Sequence, residues 1–210
     1  MIERPHGGLS LVLADGQRSG KPAKRVSNLV VRKAISLLAE GVRDGAAARA
    51  AHDYLHTHYE AKVSATLNIV SVDLVTRTIV ISRNSHCPAY VWSRGQMRVL
   101  NEPSQPIGIY PRTRPVITEL EIVAPTYAVV FTDGVLDAGS REGKSLDVAA
   151  LIGEFAPSGG AAQALADEIL RRCLELDRGR PADDTSVLVL AVLPRTSTDE
   201  ARRMTVRFPM

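Results

Sequence analysis

The sequence predicts an α+β sandwich, with sheet in the middle and helices outside. Two observations carry this. Strand-length apolar runs separated by turn residues fill 63–132, and helical periodicity is confined to 23–59 and 146–176. Strands are therefore grouped apart from helices. The 210 residues, 45% of them apolar, suffice to bury a proper core.

Residues 9–14 (LSLVLA) read as a buried strand, ended by Asp15-Gly16. After the polar turn QRSGKP, a helix is expected from Ala23 to Leu38. Val26, Val30, Ala34, Leu37 and Leu38 fall on one face of it, Pro22 suits its first turn, and Gly41 is its stop. A second, Ala-rich helix is expected over 45–59. The runs 63–73, 77–83, 88–93 and 97–100 read together as an antiparallel meander. A Pro/Gly-rich loop, NEPSQPIGIYPRTRP, leads to strands at 116–123 and 127–132. Helices at 146–155 and 160–176 and a strand at 186–193 complete a single domain, residues 1–195. For the charged tail 196–210 two readings stand: disorder, or an edge strand at 203–208 in which Met204, Val206 and Phe208 alternate.

Net charge is +3 and aromatics are 4%, with no basic run interleaved with aromatics, so no nucleic-acid partner is expected. Cys87 and Cys173 have no CxxC partner and no His at zinc spacing, and read as free thiols in a reducing compartment. No 18-residue apolar run is present, so no membrane partner is expected. MIERPHGG does not read as a signal peptide, and the expected location is cytoplasmic. The sequence does not speak to oligomeric state.

Three aspartates bracket apolar β-forming runs: Asp15 in LSLVLADG, Asp133 in YAVVFTDG and Asp183 in PADDTSVLVLAV. Strand ends far apart in sequence can meet in a sheet. Three carboxylates at one rim repel unless a cation sits between them, which points to a hard metal with oxygen ligands, Mg²⁺ or Mn²⁺. Each Asp-Gly alone is ordinarily a turn. Asp184 reads as facing away or capping a backbone group, and Thr185 and Ser186 as satisfying local backbone. His52 and His56 have i,i+4 spacing, but no acid set accompanies them, and with His58 they read as a solvated helix face. His86 reads as organising the turn before Pro88, and Arg18 as an exposed turn residue.

In order, VLADGQRSGKPAK, FTDGVLDAGSREG and ADDTSVLVLAV resemble the metal-dependent 2C-type (PPM) serine/threonine protein phosphatases. The likeness is to the SpoIIE-like branch, near its short RsbX-type stand-alone members. ATLNIVSVDLVTRTIVISRNSHCPAYVW is similar to the family's two strands and His-Pro turn, and SQPIGIY to its Pro-Leu-Gly segment. The resemblance spans about 7–193 and implies an αββα arrangement, two packed antiparallel sheets flanked by helices. It implies two Mn²⁺ or Mg²⁺ ions at one end of the sandwich. Asp15 matches the bridging aspartate, Gly16 the glycine whose carbonyl ligates a metal, Asp133 the Asp-Gly aspartate, and Asp183 the first acid of the final pair. Such ions acidify a bridging water that attacks phosphorus in line, so no side-chain nucleophile is needed. Cys87 lies in no Cys-x5-Arg loop.

The resemblance further implies hydrolysis of phosphoserine or phosphothreonine on a regulatory protein of the STAS, anti-sigma-antagonist type. One departure opens a rival. The family carries a further acid on a strand upstream of the first Asp-Gly. None of the first fourteen residues here reads as that strand, and Glu3 is left unassigned. The expectation is a late start or a missing ligand, with an exposed sheet edge. The rival is a non-catalytic pseudophosphatase that binds a regulatory partner; a phosphatase of small phosphate esters is a more distant alternative.

Overall fold

The structure is a computed structural model and describes residues 1–194. It contains two antiparallel sheets packed face to face. The first comprises β1 (Ile2–Glu3), β2 (Gly8–Gly16), β3 (Ala65–Asp73), β4 (Thr78–Asn84) and β7 (Val116–Glu121), in that spatial order. The second has the order β6 (Gln96–Leu100), β5 (Ala89–Ser93), β8 (Thr126–Phe131) and β9 (Val187–Val192). Helices α1 (Gly20–Ala39) and α2 (Asp44–His58) cover the first sheet. Helices α4 (Val148–Phe155) and α5 (Ala162–Leu176) cover the second. A one-turn helix α3 (Asp133–Leu136) follows β8 directly.

The side-chain period of two builds the layers. On β3, Leu67 and Ile69 pack under α1 and α2, while Val70 and Val72 face the other sheet. On β8, Tyr127, Val129 and Phe131 pack under α4 and α5, while Ala128 and Val130 lie between the sheets. Both faces of β8 are therefore covered, which is why it reads as one unbroken apolar run. Each fully buried Leu, Ile or Phe side chain contributes roughly 1.5–3 kcal/mol.

The expected sandwich is present, with four corrections. The meander is really two hairpins in different sheets. β3 pairs with β4 and β5 with β6, and residues 85–88 carry the chain across. Local pairing is written in adjacent sequence; membership of a sheet depends on which distant strand takes the other edge. Second, β2 runs through Asp15 and Gly16, which pair with Thr66 and Ala65. Third, a first strand exists: Ile2 pairs with Ser10 and Glu3 with Leu9. The edge of β2 is covered there, and among the described residues no strand pairs with it on that side toward Asp15. Fourth, His52 is buried rather than solvated. Its Nδ1 accepts from the Gly108 N–H at 3.0 Å, and His56 Nδ1 lies 3.1 Å from the Gly108 carbonyl. His52 shares its face with Ala48 and Leu55, so burial pulls its pKa below the usual imidazole value. The two histidines clamp a loop. The tail, with its expected strand at 203–208, lies outside the described residues.

Candidate active site

Asp15 is the penultimate residue of β2. Gly16 follows, and a Cβ there would stand 2.4 Å from the Ala23 carbonyl oxygen. Only glycine lets α1 pack this closely on the strand end. The Gly16 N–H donates to Ser27 Oγ at 2.8 Å, and Ser27 donates to the Ala23 carbonyl at 3.0 Å. The glycine thus has a packing role on the α1 side, beyond anything its carbonyl does.

Asp133 opens α3, with Thr132 in the N-cap position. Thr132 also latches the segment that carries Asp183. Its Oγ1 donates to the Asp184 carbonyl at 3.0 Å and accepts from the Ser186 N–H at 2.9 Å, and its own N–H donates to the Ser186 carbonyl at 3.1 Å. Gly134 makes the contact possible: a Cβ there would meet the Asp184 carbonyl oxygen at 2.7 Å and Thr185 Oγ1 at 2.8 Å. Asp183 is exposed, and its Oδ1 accepts from the Asp184 N–H at 2.7 Å. The Asp184 carbonyl accepts from Thr132, and Thr185 Oγ1 donates to the Asp183 carbonyl at 3.2 Å, satisfying local backbone as the sequence led one to expect. The Asp184 carboxylate does not face away, since its charge reaches Asp15.

These three distant segments line one cleft of about 530 Å³, with Asp15, Gly16, Arg18, His86, Asp133 and Asp183 in its wall. The carboxylates feel one another. Burial, then the charges of Asp133, Asp183 and Asp184, push the Asp15 carboxyl up to about 6, against a smaller opposing effect of the Gly16 backbone. Asp133 Oδ1 is buried without a hydrogen-bond partner among the described residues, and its Oδ2 lies 3.8 Å from His86 Nε2.

An all-oxygen donor set, a carboxyl held above its normal range and a buried orphan oxygen suit a hard divalent cation. Among the described residues, no three His, Cys, Asp or Glu side chains are gathered tightly around a single point.

His86 is exposed and faces the cleft rather than bracing its turn. The bracing is done by Arg83, whose buried guanidinium donates to the carbonyls of Cys87 at 3.1 Å and Glu102 at 2.9 Å. Arg83, Thr132 and Gly134 escaped the sequence reading. A Thr just before Asp-Gly at a strand end is a visible cap signal; the cross-chain latch has no local signature. Neither thiol is a nucleophile. Both cysteines are free and buried, and burial pushes each up to about 11.

A family model described as "Stage II sporulation protein E (SpoIIE)" matches residues 5–193. A comparison with curated protein sequences finds no match. Among solved structures, the PP2C phosphatase domain with a regulatory-domain fragment of SpoIIE from Bacillus subtilis is similar at 18% identity and TM-score 0.75, covering 90% of this chain and 56% of that one. The RsbU and RsbW domains of Rv1364c from Mycobacterium tuberculosis give 20% identity and TM-score 0.74, covering 90% and 54%. The catalytic domain of the serine/threonine protein phosphatase PstP, in complex with two manganese ions, gives 17% and 0.66, covering 88% of each. The chain thus spans little more than half of the first two. With the fold of the PP2C phosphatase domain and a family match over nearly its whole described length, this chain belongs to the SpoIIE family.

Proposed function

We propose that this protein is a metal-dependent serine/threonine protein phosphatase acting on a phosphorylated regulatory protein of the STAS type. One observation carries the reading: Asp15, Asp133 and Asp183, from three distant segments, line one cleft, with Asp15 held at about 6 by burial and by the other acids. Asp15, Asp133 and Asp183, with the Gly16 carbonyl, would hold two Mn²⁺ or Mg²⁺ ions. Such ions, when bound, supply an acidified water and neutralise phosphoryl oxygens. The remaining roles belong to the chain. Arg18, in the cleft wall, offers a guanidinium fork to phosphate oxygens. His86, the only imidazole lining the cleft among the described residues, would pass a proton to the departing serine oxygen. The buried thiols offer no competing nucleophile.

The test is phosphate release from a phosphoserine peptide, and turnover of p-nitrophenyl phosphate, with Mn²⁺. Asp133→Asn and Asp183→Asn should each lower turnover by about 100-fold or more with folding retained. Unchanged turnover refutes the assignment. One observation favours the pseudophosphatase reading: β1 reaches β2 only at Leu9 and Ser10, so among the described residues no strand on that edge brings an acid alongside Asp15. Calorimetric titration separates the two, since the enzyme binds two Mn²⁺ ions and the module none or one weakly.

A further inference from the structure

The metal cleft is one end of a longer surface. Gln17 and Arg18 line both the cleft and an adjoining groove of about 220 Å³. Arg25 and Tyr59 in turn line both that groove and a third, of about 620 Å³, which ends at Arg32, Lys33 and Tyr54. One continuous track therefore follows α1 away from the carboxylates.

The track is basic. Across its 20 residues α1 carries Lys21, Lys24, Arg25, Arg32 and Lys33 and no Asp or Glu; Arg25, Arg32 and Lys33 line the grooves, with Arg18 just before the helix. The whole chain has 26 basic and 23 acidic residues, so this is segregation of charge rather than bulk composition. No ion pair among the described residues engages any of the five. Lys33 lies over the Tyr54 ring at 5.5 Å. Lys62, beside the middle groove, is already paired with Glu60.

We propose that this track docks an acidic segment of the phosphorylated protein substrate, next to its phosphoserine. The inference rests on the phosphatase reading. Charge complementarity selects the partner. From Gly20 to Lys33 the helix rises about 20 Å, the reach of roughly six extended residues. Single-stranded nucleic acid fits poorly, because base stacking needs an open aromatic face. Tyr54 already has Lys33 over its ring and His58 stacked at 5.7 Å, and Tyr59 has His58 edge-on at 4.9 Å. A membrane surface fits poorly too, since the apolar face of α1 is spent on the core and none is left to insert.

The test uses two phosphoserine peptides of equal length, one flanked by Asp and Glu and one by Gly and Ser. Their kcat/KM values are measured at 50 mM and 500 mM salt, each referred to turnover of p-nitrophenyl phosphate, which is too small to reach the track. The acidic peptide should be preferred about tenfold at low salt, and the preference should fall to about twofold at high salt. Arg32→Glu/Lys33→Glu should erase it, and Arg25→Glu should reduce it. Equal use of the two peptides, or a preference that survives Arg32→Glu/Lys33→Glu, overturns the proposal. Anisotropy of the labelled acidic peptide in EDTA reads docking without turnover. If no substrate is hydrolysed, the phosphatase reading fails, and anisotropy alone decides the docking surface. Binding of an RNA oligonucleotide or anionic vesicles without the acidic peptide also overturns it.

Discussion

Replacing Asp15 by Asn should stabilise the metal-free protein while abolishing metal-dependent turnover. The Asp15 carboxyl is pushed from 3.8 in the unfolded chain to about 6 by burial and by Asp133, Asp183 and Asp184. Its folded value lies above its unfolded value, so ionisation costs stability. Below about pH 3 the group is protonated in both states and the penalty is absent. The penalty grows as pH rises and is complete above about 6. Two pKa units correspond to roughly 3 kcal/mol. Asp15 is only half-buried, and solvent screening reduces the figure to about 1 kcal/mol. Asn keeps the shape and removes the charge. Urea denaturation in EDTA should therefore show Asp15→Asn about 1 kcal/mol more stable than the parent at pH 8 and equal to it below about pH 3. Added Mn²⁺ should reverse the order, because binding stabilises only the protein that keeps the ligand. If Asp15→Asn is no more stable at pH 8 in EDTA, the acids do not crowd one another, and the electrostatic basis of the site is wrong.

Two further outcomes are expected. Because Mn²⁺ must displace the Asp15 proton, its affinity by calorimetry should weaken about tenfold per pH unit below 6 and level off above it. Gly134→Ala drives a Cβ against the Asp184 carbonyl oxygen at 2.7 Å. It should cost about 1–3 kcal/mol in urea denaturation and lower p-nitrophenyl phosphate turnover by about 100-fold as Asp183 shifts. Gly153→Ala, in the interior of α4 with open space around it, serves as the control and should be neutral or slightly stabilising.

Much of the fold was legible because its signals are local. The face of Val26, Val30, Ala34 and Leu38 on α1 is a helical period, and all four are buried. The burial of β8 on both faces is written in YAVVF. What misled were residues whose surroundings come from elsewhere. His52 looked solvated on its polar neighbours, yet the loop at Gly108 folds over it. Asp133 was legible as a candidate ligand, but not why a glycine follows it: the segment at Asp184 and Thr185 presses against Gly134.

By itself the sequence determined the sandwich class, the main helix and strand spans to within a few residues (β1 and α3 aside), and the three aspartates as a candidate oxygen-ligand set. Periodicity and residue chemistry are properties of neighbours along the chain. Tertiary structure alone decided that 85–88 carries the chain between sheets, that Thr132 latches the Asp183 segment beside Asp133, and that α1 lays a row of cations leading from the cleft. Those outcomes depend on which distant surfaces bury one another, a choice made by packing of the whole chain.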